Sequence, residues 1–224
     1  MSKSATNSFD AYSGPGSDRK EMLDFVPASA KTVLDVGCSV GNFGAHLKSL
    51  RRAEVWGLEA DPQAAALAAA KLDRVINALF GDNDELKGKR FDCIVFNDVL
   101  EHMVDPYTAL NYAKSLLSPD GRVVASIPNV RYFDNVWRLV LNGSWEYTDT
   151  GILDRTHLRF FTKSSIEKMF TNEGYQIERI EGIGAVDWIH PQRRQWFRYL
   201  NLALGGRLKE MRWQQFAVVA RASR

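Results

Sequence analysis

The sequence predicts an α/β fold built on a mostly parallel sheet with helices on both faces. Three observations carry it. Short apolar runs alternate with helical stretches from Val33 to Ile127. The runs are apolar at successive positions rather than at every second one, as strands covered on both faces require. The breaks between them carry the punctuation of strand-to-helix and helix-to-strand turns, at Gly37 to Gly41, Asp61-Pro62 and Ser118-Pro119-Asp120-Gly121.

Taken in order, residues 33–36 predict a strand and 42–50 a helix, followed by a second strand over 54–59. Asp61 supplies an N-cap and Pro62 a first helical residue, so an alanine-rich helix is expected to run to Leu72. A third strand is expected over 74–80 and a fourth over 91–97. A helix over 106–117 then closes in the turn 118–121, before a fifth strand over 122–127. The regularity stops at Pro128. Residues 129–161 are expected to be irregular and rich in aromatic rings, and a helix over 162–173 is capped by Thr162 or Ser164. Two closing strands are expected over 175–180 and 213–220, with a basic, aromatic stretch from His190 to Arg212 between them. Residues 1–18, rich in Ser, Asn, Gly and Asp, are expected to form a mobile arm, and 19–224 a single domain with inserts at about 129–161 and 181–212.

Composition narrows the function classes. The 224 residues hold 29 Lys plus Arg against 27 Asp plus Glu, a formal charge of +2 that gives no global signal for nucleic acid. The two cysteines, Cys38 and Cys93, lie in apolar runs without zinc spacing, which suits a reducing compartment. No apolar run reaches the length of a membrane span, and the first residues lack a signal-peptide core, so a cytoplasmic location is expected.

The chemistry concentrates in Asp35-Val36-Gly37-Cys38-Ser39-Val40-Gly41. Glycine at a strand-to-helix turn lets the backbone approach a ligand and adopt positive φ. Glu59 ends the next strand, 22 residues after Gly37, where a carboxylate can accept ribose hydroxyls. A dinucleotide site would need G-x-G-x-x-G around a pyrophosphate, but Ser39 takes the second glycine position and Asp35 would repel the phosphates. An ammonium-bearing, phosphate-free nucleoside suits this charge pattern better. A nicotinamide-dependent oxidoreductase and a non-catalytic nucleoside-binding module remain as alternatives.

At these residues the chain resembles the class I S-adenosylmethionine-dependent methyltransferases. Asp35 to Gly41 is similar to their motif I, with Ser39 where many members have glycine; Leu58-Glu59-Ala60-Asp61 resembles motif II. Phe80-Gly81-Asp82-Asn83 resembles the segment that reaches the adenine. Phe91 to Asn97, with Asp98-Val99-Leu100-Glu101-His102, resembles the motif beside the transferred methyl, and Leu117 to Gly121 the turn before the fifth strand. The resemblance implies a Rossmann-like sheet of seven strands, the last antiparallel, and S-adenosylmethionine as cofactor. It implies a cofactor site of Asp35, Gly37, Cys38, Gly41, Glu59, Ala60, Asp82, Asn83 and Asn97. Asp154-Arg155-Thr156-His157-Leu158-Arg159-Phe160-Phe161-Thr162 further resembles a bacterial subgroup acting on small molecules and in surface-glycan pathways.

For the acceptor side, His157 is the first candidate base, because imidazole titrates near neutrality; a purely structural role is the competing reading. His102, just past the fourth strand, either lines the methyl pocket or caps the adjacent helix. Tyr132, Trp137, Trp145 and Arg155 are the substrate-binding candidates, although Asp154 and Arg155 would equally form an ion pair. No metal is expected; if one were bound, Asp98, Glu101 and His102 resemble the ligand pattern of ubiquinone-pathway O-methyltransferases. The expected partner is a small acceptor whose oxygen or nitrogen is methylated, with no nucleic acid, since the Pro-Pro-aromatic motif of amino-directed DNA enzymes is absent after Asn97. The basic stretch is read first as a helix packed by its apolar side with its basic residues solvated, and otherwise as facing a phosphate-bearing substrate, making peripheral membrane contact, or forming a lid or dimer contact; the chain is expected to be a monomer or homodimer.

Overall fold

A computed structural model describes residues 18–81, 84–185 and 193–223. The expectations for the arm before Asp18, for Asp82 and Asn83, and for His190 therefore lie outside the described residues. Seven strands form one sheet: β1 (Thr32–Val36), β2 (Glu54–Glu59), β3 (Arg74–Asn77), β4 (Phe91–Asn97), β5 (Leu117–Pro128), β6 (Tyr175–Ala185) and β7 (Trp213–Ala222). Their order is β3-β2-β1-β4-β5-β7-β6. β1 pairs in parallel with β2 and with β4, β2 pairs in parallel with β3, and β6 and β7 are antiparallel. This is the seven-stranded, mostly parallel arrangement with an antiparallel end that the motifs imply.

The chain divides into two compact units. One takes in the chain up to Asn97 together with residues 107–124; the other takes in residues 98–106 and 125–223.

In the first unit, Val33, Leu34 and Val36 of β1 are all buried. Gly57 of β2 sits where a Cβ would lie 2.6 Å from Cys38 Sγ and 2.7 Å from Leu72 Cδ1, so a side chain there would displace one or both. Helix α1 (Asn42–Leu50) follows Gly41, whose φ of 77° is left-handed. Helix α2 (Pro62–Ala68) starts as expected, with the Asp61 carboxylate accepting from the Gln63 and Ala64 amides at 2.8 Å. It ends four residues short of Leu72. The Lys71 and Leu72 amides both return to the Ala68 carbonyl, and the Leu72 side chain turns into the core under Gly44 and Gly57. β3 likewise stops at Asn77 rather than at residue 80: the Ala78 backbone N–H turns back to the Ile76 carbonyl, and the Asn77 side-chain Nδ2 donates to the carbonyls of Glu59 and Ala60. Phe80 then packs against Phe96 and Tyr112, each ring centroid 5.3 Å away. Helix α3 (Pro106–Leu116) runs straight into β5. The expected turn at 118–121 is part of that strand, since Gly121 lets the backbone lie where a Cβ would meet the Phe91 carbonyl at 2.9 Å.

The second unit holds the larger departures. Helix α4 (Phe133–Asn142) occupies part of the stretch expected to be irregular. Phe133, Val136, Trp137 and Val140 fall at helical spacing, and Gly143 closes the helix at φ 62°. Helix α5 (Lys163–Asn172) is capped by Thr162, in a reciprocal box with Ser165 rather than Ser164. Helix α6 (Arg193–Ala203) places Phe197 with Phe133 and Met211 in a small core that Val136 and Leu208 flank. β6 runs past Ile180 to Ala185. Gly182 and Gly184, which look like strand breakers, make room on β6 for Trp213 and Gln214 of β7; a Cβ on Gly182 would fall 2.0 Å from the Trp213 ring. Among the described residues no helix is long and apolar enough to cross a membrane.

Candidate active site

The first unit builds the loop between β1 and α1 from three left-handed residues: Gly37 at φ 68°, Ser39 at φ 48° and Gly41 at φ 77°. For Ser39 this conformation costs energy that a glycine would not incur. Glu59 supplies the offset. One carboxylate oxygen accepts the Ser39 amide at 2.8 Å and the other accepts the Asp61 amide at 2.9 Å. Lys71 holds the far side, its ammonium donating to the Val40 carbonyl and to Asn42 Oδ1, both at 2.7 Å. The Gly37 and Cys38 amides both donate to the Leu58 carbonyl, tying the loop to the end of β2. The Cys38 thiol is buried against Gly57, and that burial, ahead of the nearby Asp35 and Glu59 carboxylates, pushes its pKa up.

At the base of the loop, Asp35 is 1% exposed, and its Oδ2 has no hydrogen-bond partner among the described residues. Burial first, and the Glu59 carboxylate second, push its carboxyl up to about 8. On the neighbouring strand, Asn97 buries both Oδ1 and Nδ2 without a partner among the described residues. Orphaned polar atoms of this kind are costly, and a ligand that supplies N–H donors beside a carboxylate relieves them. An ammonium group fits; a diphosphate beside Asp35 does not.

The second unit holds a separate cluster of ionisable side chains. Glu101 and His102 lie in a short 3-10 turn, Leu100–His102, and His157 follows Asp154 and Thr156 in the loop after α4. Glu101 is 0% exposed and His157 8% exposed. The Leu158 and Arg159 amides donate to the Glu101 carbonyl, which fastens the loop to the turn. His157 Nδ1 lies 2.9 Å from the Ile152 carbonyl, and its Nε2 lies 4.0 Å from Glu101 Oε1. The His102 and His157 rings meet edge to face, 4.6 Å between centroids. Burial, and then the His157 ring, hold the His102 pKa below the ordinary imidazole value, so His102 is neutral at physiological pH. One donor atom from each of Glu101, His102 and His157 lies within 4.8 Å of the others, so these three are the side chains a cation would use. Asp98 is not among them. Its φ is 55°, and its Oδ1 accepts from Ser126 Oγ at 3.0 Å and from Gln215 Nε2 at 2.8 Å, so the sequence pattern Asp98, Glu101, His102 is not assembled as one ligand set.

A family model described as a methyltransferase domain matches residues 15–180. The chain belongs to this family. It is an S-adenosylmethionine-dependent methyltransferase, and the nicotinamide alternative is set aside. Among curated proteins, the methyltransferase is similar to a ubiquinone biosynthesis O-methyltransferase of Chromobacterium violaceum, 28% identical over 175 residues, covering 72% of this chain and 73% of that one. A protein of the same name from Alkalilimnicola ehrlichii is 33% identical over 110 residues, covering 44% and 42% of the two chains. Among solved structures, a SAM-dependent methyltransferase from Archaeoglobus fulgidus shares the fold at 17% identity, with a TM-score of 0.65 and 90% of each chain covered. A Burkholderia thailandensis 1,6-didemethyltoxoflavin-N1-methyltransferase shares it at 16% identity, with a TM-score of 0.63, over 96% of this chain and 82% of that one.

Within the methyltransferase, Asp35, Gly37, Cys38, Gly41, Glu59, Ala60 and Asn97 all fall in the first unit, on β1, the loop after it, the end of β2 and the end of β4. His102 reaches Thr156 through its Nδ1. Arg155 is 63% exposed and pairs with Asp149 at 2.5 Å, not with Asp154. Asp154 is buried and turns back to accept from the Thr156 amide and hydroxyl. Of the aromatic candidates, Tyr132 is buried, Trp137 stacks on Phe133, and Trp145 packs on Phe160, which in turn approaches His157 at 6.4 Å. Sequence reasoning missed Thr156 and Lys71. Thr156 stands inside the Asp154 to Thr162 segment but was given no role there, Lys71 stands in no motif, and both reach residues distant in sequence.

Proposed function

We propose that this methyltransferase moves the methyl group of S-adenosylmethionine to an oxygen or nitrogen of a small-molecule or sugar-type acceptor. The observation that carries the reading is the buried, partnerless Asp35 Oδ2 beside Asn97, a site complementary to a cationic amino acid moiety. Asp35 and Asn97 receive the ammonium group, the backbone at Gly37 and Gly41 admits the nucleoside, and Glu59 with Ala60 receives the ribose through lone pairs that the Ser39 and Asp61 amides leave over. When bound, the cofactor supplies a methyl carbon already activated by its sulfonium. The chain then has to align the acceptor, exclude water and take a proton from it. His157 is the proposed proton acceptor, with His102 beside it. With Nδ1–H donated to the Ile152 carbonyl, the His157 lone pair lies on Nε2, and a proton taken there is stabilised by Glu101 4.0 Å away. Trp145 and Phe160 are proposed to flank the acceptor. The names of the relatives, a ubiquinone-pathway enzyme and a toxoflavin-pathway enzyme, favour small acceptors. Incubation with methyl-labelled cofactor and a library of hydroxylated and amino-bearing metabolites tests the reading. Label transfer by the wild type, and its loss in His157→Ala with cofactor affinity retained, is the expected result. Cofactor binding without transfer to any acceptor would return the chain to a binding module.

Peripheral membrane contact is proposed beside the packed-helix reading, which the burial of Phe197 against Phe133 and Met211 supports. Val140 of α4 and Tyr199 and Leu202 of α6 are 71%, 69% and 77% exposed, and Arg198, Arg207 and Lys209 are exposed beside them in the chain.

A further inference from the structure

The loop that carries His157 also determines which nitrogen of His102 bears its proton. His102 Nδ1 lies 3.1 Å from Thr156 Oγ1 and 3.3 Å from the Thr156 carbonyl. The carbonyl can only accept. The Thr156 hydroxyl has one proton, which it donates to Asp154 Oδ1 at 2.7 Å, so toward His102 it too can only accept. Both contacts therefore require Nδ1–H on His102, which puts the ring's lone pair on Nε2. Asp154 is 4% exposed and is held in place by the Thr156 amide at 2.8 Å, so the hydroxyl has a fixed acceptor to point at. His157 reaches the same tautomer by an independent contact, its Nδ1–H to the Ile152 carbonyl.

We propose that Asp154 and Thr156 are positioning residues that fix His102 as its Nδ1–H tautomer, so that His102 and His157 form a paired imidazole base with both lone pairs on Nε2. The proposal rests on the reading of the cluster as the proton acceptor for methyl transfer. In the step it serves, the acceptor's O–H or N–H bond breaks, the proton moves to an imidazole Nε2, and the bonding pair stays on the acceptor atom. The two rings meet edge to face beside the buried Glu101 side chain, so a proton taken on one Nε2 has the second ring and the carboxyl group next to it. A wrongly set His102 would instead present an N–H to the group it should deprotonate. Asp154 and Thr156 touch neither reactant in this scheme. They act through the ring they hold.

The test combines nitrogen-15 spectra of the histidine side chains with kinetics. In the wild type, the spectra are expected to show both His102 and His157 as Nδ1–H tautomers at pH 8, whether or not an acceptor has been found. In Thr156→Val, the His102 signals are expected to move toward a tautomer mixture, with turnover down by about tenfold and cofactor affinity unchanged. Thr156→Ser, which restores the hydroxyl, is expected to recover both. An Nε2–H His102 in the wild type overturns the proposal, as does a Thr156→Val protein with unchanged spectra and turnover. Wild-type protein with the expected tautomers but no transfer activity sinks the proton-acceptor reading instead, and leaves the hydrogen-bond assignment standing.

Discussion

Glu59 accepts the Ser39 amide at 2.8 Å, across 20 residues of sequence, so the acid at the end of β2 shapes the loop at the end of β1. Its second oxygen holds the Asp61 amide, at the N-cap of α2. The side chain expected to meet the ribose thus also braces the backbone that a nucleoside would approach. The two roles are coupled.

Removing that carboxylate is therefore expected to weaken cofactor binding in two ways. Glu59→Ala should cost about 1–3 kcal/mol of adenosylmethionine affinity, as the loss of a charge-assisted acceptor implies. Isothermal titration measures it, and circular dichroism checks that the fold survives. Affinity within a factor of two of wild type would mean that neither the loop nor the ribose depends on Glu59.

Asp35 gives a pH dependence with a definite sign. Its carboxyl, raised to about 8 in the folded protein, is about 3.8 in an ordinary setting. A raised value means that the stability from the protonated group is complete below the unfolded value and is lost as pH rises through the folded one. Without ligand, Asp35→Asn is expected to gain thermal stability relative to wild type from pH 5 to pH 8, with the gap levelling off above that. Wild-type affinity for adenosylhomocysteine, which carries the same ammonium, should rise by up to about tenfold per pH unit over the same window and then flatten. A flat affinity profile between pH 6 and pH 8 would remove Asp35 from the ammonium site.

Gly57 tests the packing beneath the loop. Gly57→Ala would drive a methyl group to 2.6 Å from Cys38 Sγ and 2.7 Å from Leu72 Cδ1. Overpacking of this kind is expected to cost about 1–3 kcal/mol, read as a lower melting temperature, and to shift the loop enough to weaken cofactor binding as well. An unchanged melting temperature would show that Cys38 and Leu72 can move aside.

Chelation tests the cluster in the second unit. If Glu101, His102 and His157 handle a proton and hold no metal, extensive treatment with a chelator should leave turnover unchanged. Activity lost on chelation and restored by a divalent cation would assign these three side chains as ligands, with Asp98 left to its contacts with Ser126 and Gln215.

The exposed apolar side chains make a separate claim about membranes. The 224-residue chain is expected to sediment with vesicles containing anionic lipid and less with zwitterionic vesicles, and Val140→Glu with Leu202→Glu should abolish the difference. Equal partition to both vesicle types, or to neither, would assign these residues to another role.

The sequence by itself determined the elements whose signals are local. Asp61-Pro62 started α2 where expected, Gly41 preceded α1, and β2 and β4 run over the residues their apolar patterns marked. The order of acids and glycines around the first loop was legible for the same reason: a strand, a turn and a helix N-terminus each show within a few residues. Tertiary structure decided what depends on distant partners. α2 ends at Ala68 because Leu72 is drawn into the core, β6 continues through two glycines because Trp213 and Gln214 lie over them, and Asp154 turns to Thr156 rather than to Arg155. It also replaced Asp98 with His157 beside Glu101 and His102. Backbone propensity and periodicity act over one or two turns of chain. Which buried side chain meets which is fixed only when the whole core closes, because burial makes each unpaired polar group too costly to leave where local sequence would put it.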